Sequence, residues 1–287
     1  MISRLRIGAL CAATFAFAAL HSAHPTAQGR RAGAAPAQGA QQYAITVMPP
    51  GGPAPRLSDG HPDLSGHWLP NSAGQGVSGR DGVDPAARRQ FDPRVTPEEK
   101  PAFQPWAEEK MKNLTPTERE LAKSSVNCTP RGLPAIWLQN PYSTVIVHTP
   151  TMMAQLYEVL NNWRLVYTDG RPVPKDPEPW YHGTSTTHWE GDTLVVESVG
   201  IDTRTFVMPT GWFHSDAMRV TERYTRPSKN YLIVEITVDD PKVLLHPWKS
   251  APRRWTLGNG EVYEFYCDNN HELEELGKLK TQEAGGK

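Results

Sequence analysis

From residue 143 onward, short apolar runs alternate with turn signals. Residues 143–149 (STVIVHT), 152–159 (MMAQLYEV) and 163–168 (WRLVYT) are separated only by Pro150-Thr151 and by residues 160–162. Connections of hairpin length between β-rich runs predict an antiparallel meander. Three more pairs follow: 185–189 with 193–199 across Glu190-Gly191-Asp192, 217–226 with 231–238 across residues 227–230, and 253–257 with 262–267 across residues 258–260. Nine or so short strands, with no strand-then-helix rhythm, predict an all-β fold, an antiparallel meander barrel. Upstream, residues 61–69 (HPDLSGHWL) are the first that read as folded. Short accessory helices are predicted at 105–113 and from Thr115-Pro116-Thr117-Glu118 to about Lys123. The second opens on a capping-box spacing with Pro at the first helical position. Residues 28–60 predict a flexible lead-in with one short strand at 43–48, and residues 70–95 a long surface loop. The barrel domain spans 61–271, and residues 272–287 predict a charged tail, helical or frayed.

Alternation within a strand assigns its faces. In 217–226, Arg219, Thr221, Arg223 and Thr225 share one face, while Met218, Val220, Glu222 and Tyr224 share the other. The first set faces water, so Glu222 points inward among apolar neighbours. A carboxylate there is costly unless paired, and its proton affinity becomes tunable. Glu197, on one face with Val195 and Val199, reads as a second interior acid. Glu235 shares a face with Tyr231 and Thr237 and reads as a surface residue opposite Arg219 or Arg223. Glu222 has two readings: an ion pair with Arg164 or Arg223, or a general acid or base in a cavity.

The first 27 residues change the compartment. Arg4 and Arg6 precede an apolar stretch at 7–20, and small residues follow around Ala23 and Ala27, the pattern of a secretory signal. The stretch is short for a membrane span of ~20 residues. Periplasmic or secreted localisation is expected. Cleavage removes Cys11 and leaves Cys128 and Cys267, which in an oxidising compartment most simply form one disulfide. A nucleophilic cysteine is the alternative reading. The chain has 30 Lys and Arg against 31 Asp and Glu; after cleavage the net charge is −3. No basic field marks a nucleic-acid partner.

Candidate chemistry gathers near the strand ends. His214-Ser215-Asp216 places an imidazole and a carboxylate ahead of Glu222, a possible proton-transfer cluster in which Asp216 orients His214. His182 and His188 lie six apart, and no His pair has a zinc-site spacing, so no metal is assigned. Neither a nucleophile elbow nor a phosphate-binding glycine loop is present, since GVSGRDG at 76–82 neither follows a strand nor opens a helix. No cofactor is indicated. Tyr157, Arg164, Trp180 and Trp189, with Glu197, are the expected lining of a cavity for a small apolar or aromatic molecule.

Several segments together resemble a broad set of secreted bacterial proteins. They are Asp63-Leu64-Ser65-Gly66-His67-Trp68, residues 167–171 with Asp176-Pro177, and residues 189–196 (WEGDTLVV). His214-Ser215-Asp216, residues 220–223 (VTER), Asp239-Asp240-Pro241 with Pro247-Trp248, and residues 266–270 (YCDNN) complete the pattern. The likeness covers about residues 61–271. Its CxPxGxP segment is residues 128–134, which supports pairing of Cys128 with Cys267. One departure is Thr187, where these proteins carry a second Gly. The family supplies no settled activity. Gly66-His67-Trp68 on a first strand also resembles lipocalin-like barrels, where a Trp closes the base. The leading expectation is therefore an exported enzyme doing acid–base chemistry of isomerase, lyase or cyclase type. Glu222 and His214 would carry protons, and Tyr157 or Arg164 would steady developing negative charge. A non-catalytic binding protein is the alternative; a metal-dependent hydrolase using His182, His188 and His214 is the third.

Overall fold

The computed structural model describes residues 50–70, 100–139, 142–258 and 261–285. The expected signal sequence, the expected strand at 43–48, residues 76–82 and most of the expected loop at 70–95 lie outside the described residues.

Nine strands form a nearly closed up-and-down barrel. They are β1 (Gly66–Pro70), β2 (Thr144–Thr149), β3 (Met152–Tyr157), β4 (Asn162–Tyr167), β5 (Thr184–Glu190), β6 (Thr193–Val199), β9 (Arg219–Ser228), β10 (Tyr231–Asp239) and β12 (Arg253–Leu257). Two short strands, β7 (Phe206–Met208) and β8 (Trp212–Phe213), pair with each other outside the wall, and β11 (Trp248–Lys249) adds to β10. All ladders are antiparallel. Around the barrel the wall runs β5-β6-β9-β10-β12-β1-β2-β3-β4.

The expected hairpins form, except the last. Residues 261–269 carry no strand, because both edges of β12 are already taken, by β10 and by β1. Pairing the first strand with the last closes the wall there. The break falls between β4 and β5, which share no ladder. The β2–β3, β3–β4, β5–β6 and β9–β10 turns are short, whereas the unpaired neighbours β4 and β5 are joined by the proline-rich residues 168–183. Side chains bridge the gap instead: Thr187 Oγ1 donates to the Tyr167 carbonyl at 3.1 Å and Thr186 Oγ1 to that of Arg171 at 2.8 Å.

Four helices of the described residues lie outside the wall and one fills it. These are α1 (Pro105–Lys112), α2 (Pro116–Leu121), α3 (Ser124–Asn127), α4 (Ala135–Leu138) and α5 (Asn270–Gly285). The capping box forms as its spacing requires: Glu118 N–H donates to Thr115 Oγ1 at 3.2 Å, and Thr115 N–H to Glu118 Oε2 at 2.8 Å. All four residues of α4 are buried. Its Trp137 stacks edge-on against Tyr157, Tyr224 and Trp255, with centroids 5.1–5.7 Å apart. An apolar run that short buries on every side only by entering the core, so α4 acts as a plug. At the other end, Trp68 is fully buried, donates to the Leu64 carbonyl at 3.0 Å and lies under the Arg226 guanidinium.

Residues 50–60 are not a free lead-in. Pro50 and Gly52 carbonyls accept from Asn230 and Lys229, and Arg56 forms two hydrogen bonds with Asp192. The charged tail is helical as α5, and Glu283 accepts from the backbone of Thr117 at the start of α2. Cys128 and Cys267 stand in disulfide geometry, with Cα atoms 5.7 Å apart, and join the end of α3 to the approach of α5. No helix of the described residues is long and apolar enough to cross a membrane.

Candidate functional site: a buried polar chain beside the seam

The inward face of β9 carries Val220, Glu222 and Tyr224, all fully buried. Register brings Val196 of β6 and Ile236 of β10 alongside Glu222, so the carboxylate has apolar neighbours on both strands. Its partner comes from across the interior. Arg164 on β4 places Nη1 2.9 Å from Oε1 and 2.8 Å from Oε2, with the arginine side chain only 3% exposed. Nη2 of the same guanidinium donates at 2.8 Å to Ser185 Oγ on β5 and to Ser198 Oγ on β6. Burial works against the guanidinium's charge, but the Glu222 carboxylate outweighs it and raises the Arg164 pKa. Arg164 thus pins β4 to β5 and β6 at the one place where the wall has no ladder.

A chain of uncharged groups continues from the carboxylate. The Tyr224 hydroxyl donates to Glu222 Oε1 at 2.7 Å, Gln155 Nε2 donates to the Tyr224 oxygen at 3.0 Å, and the Tyr157 hydroxyl donates to Gln155 Oε1 at 2.6 Å. Burial raises the pKa of both phenols, and the Glu222 charge adds to that of Tyr224, so both stay protonated donors. His182 stands against Tyr157 with ring centroids 6.0 Å apart. Neither of its buried ring nitrogens has a hydrogen-bond partner, nor have the buried Trp137 Nε1, Trp255 Nε1 and Arg164 Nε. Gly183 lets the chain turn there: its φ is +63°, and a Cβ would lie 2.5 Å from the Val199 carbonyl oxygen.

Burial, and next the Arg164 charge, push the His182 pKa down to about 3. Between about pH 6.5 and pH 3 the unfolded chain therefore binds a proton that the folded chain refuses, and stability falls as pH drops through that window. The share of His182 is about 1.4 kcal/mol per pH unit, or about 2 kcal/mol lost by pH 5. His148 and His214 are shifted the same way by burial. Urea unfolding at pH 7, 6 and 5 is expected to show a shallower acid loss in His182→Gln than in the parent; equal slopes would exclude this role.

Other expected site residues lie elsewhere. Glu197 is exposed: it pairs in register with outward Thr221, and Val196 rather than Val195 faces in. Asp216 does not orient His214; it is 76% exposed and meets Lys242 Nζ at 2.6 Å. The carboxylate that holds the His214 turn is Asp240, which accepts from Ser215 N–H and Oγ at 2.7 Å each. His214 itself is buried. Its Nδ1 lies 2.9 Å from the Ser215 carbonyl oxygen and its Nε2 2.8 Å from the Thr205 hydroxyl, which itself donates to the Asp202 carbonyl. Both nitrogens are occupied, and no hydrogen bond connects His214 to the Glu222 chain. Trp180 is 62% exposed and serves through its backbone, bridged to Ile201. Trp189 stacks on His61 at 4.3 Å, beside His148. Exposed His188 pairs with Glu190, whereas His182 is half-buried with its ring nitrogens covered. Among the described residues no three His, Cys, Asp or Glu side chains gather as a metal site.

Sequence reading passed over Gln155, Ser185, Ser198 and Trp137 as members of this interior. Gln155 was detectable, since alternation puts it on one face with Met153 and Tyr157. Trp137 was not, because nothing in AIWL says that this turn of helix enters a barrel. Comparison of the chain with protein-family models, with curated proteins and with solved structures finds no match.

Proposed function

We propose that this chain is an exported, non-catalytic barrel that binds a small apolar or aromatic molecule bearing a carbonyl or hydroxyl oxygen. The observation that carries the reading is the set of buried nitrogens without partners beside the seam: both of His182, with Trp137 Nε1 and Arg164 Nε. Buried polar atoms are nearly always satisfied in folded proteins, and leaving one unpaired costs about 1–3 kcal/mol. An oxygen-bearing ligand lying against Tyr157 and Trp137 would accept from the indole and the imidazole while its rings extend the aromatic stack. The seam between β4 and β5 is the natural entry, because side-chain contacts alone hold it. Secretion fits the leader-like first 27 residues and the disulfide geometry of Cys128 and Cys267.

Acid–base catalysis has less support. The Glu222 carboxylate is engaged by Arg164 and Tyr224, and neither His214 nor Asp216 reaches it. Titration of the full chain with acetophenone, followed by native mass spectrometry, tests the reading. Saturable one-to-one binding that weakens several-fold in His182→Ala is expected. No saturable binding of acetophenone or of benzyl alcohol would overturn it.

A further inference from the structure

A second site lies on the outer side of the plug. A cleft of about 280 Å³ opens between the end of α2, α3, the start of α4 and residues 204–209. Its lining holds three cations, Lys123, Arg131 and Arg204, and no Asp or Glu. Two are already neutralised: Lys123 meets Glu120 at 2.6 Å, and Arg204 forms a two-pronged pair with Asp202. Arg131 is not. One of its nitrogens donates to the Gln139 carbonyl at the end of α4, and among the described residues no carboxylate reaches it. Burial lowers its pKa, the mark of a charge short of compensation.

The backbone beside it is held firmly. Gly132 has φ +72°, a Cβ there would lie 2.7 Å from the Tyr181 carbonyl oxygen, and Leu133 N–H donates to that same oxygen. The guanidinium is thus presented from a fixed strut between the plug and the β5 approach. Phe206 supplies an apolar wall and Thr129 a hydroxyl on the rim. We propose that this cleft binds a small organic carboxylate, with the carboxylate on Arg131 and Thr129 and the apolar body against Phe206. One unpaired guanidinium matches one negative charge in the forked geometry that arginine favours. A phosphate dianion would lack a second free cation, and the volume lies at the small end of ligand pockets.

Isothermal titration of the full chain with sodium benzoate, acetate and inorganic phosphate at one ionic strength tests this. Saturable one-to-one binding of benzoate, weaker acetate and no saturable phosphate are expected. Arg131→Gln should weaken benzoate by at least about tenfold. Asn127→Glu, at an exposed position on the lip, should weaken it without touching the plug, and decides the matter if Arg131→Gln does not fold. His182→Ala should leave benzoate binding unchanged, which separates this cleft from the barrel interior. The proposal is overturned if the parent does not saturate with benzoate, if both folded variants bind as the parent does, or if phosphate binds as tightly as benzoate.

Discussion

The Glu222→Gln variant is expected to unfold in urea with about 3–5 kcal/mol less stability than the parent. Glutamine keeps the shape and can still accept from Tyr224, so the loss isolates the charge. What remains is the Arg164 guanidinium, 3% exposed, facing two serine hydroxyls and an amide. A buried cation without a counter-ion is the costly state, far more so than a barrel that never held the pair. Replacing both partners, Glu222→Leu with Arg164→Met, is therefore expected to recover most of the deficit. Matching midpoints for Glu222→Gln and the parent would mean that water reaches this pair. Recovery should be incomplete, since Arg164 also bridges β4 to β5 and β6 where no backbone ladder does so.

Removing the cross-link, with Cys128→Ser and Cys267→Ser together, is the other large effect. The two residues are 139 apart, and closing a loop of that length in the unfolded chain contributes about 5 kcal/mol by chain entropy. The disulfide holds the α3 end against the approach to α5. Without it, the ties that remain among the described residues include Asn269 Nδ2 to the Val126 carbonyl at 2.7 Å, Glu283 at the start of α2 and the buried Leu276. Backbone amide exchange in α5 should quicken to near the unfolded rate, while that of β9 and β10 stays slow under native conditions. A loss under 1 kcal/mol with α5 still protected would show that the helix docks by itself.

How far the chain discloses its fold depends on the strand. β9 is long, and its outward face alternates Arg and Thr, so Glu222 could be placed inside from one strand alone. β6 has valines on both faces, and its polarity becomes legible only through register with β9, which is why Glu197 was misplaced. The His214 turn shows the same limit. Neighbours in sequence, His214 and Asp216, diverge in space, and the carboxylate that ties down Ser215 is Asp240 from the far end of β10. Closure between β1 and β12 is likewise non-local: a strand pattern at 262–267 can be read, but no edge is left for it. The plug is the largest surprise, since a cavity expected to be hollow contains Trp137.

The most direct test is a titration of the full chain, labelled with nitrogen-15 at the tryptophan indoles, with acetophenone in a proton–nitrogen correlation spectrum. The Trp137 and Trp255 indole N–H signals are expected to shift together and saturate at one equivalent, with exposed Trp163 unmoved. Fixed positions for both interior indoles, at concentrations where other signals move, would contradict this expectation.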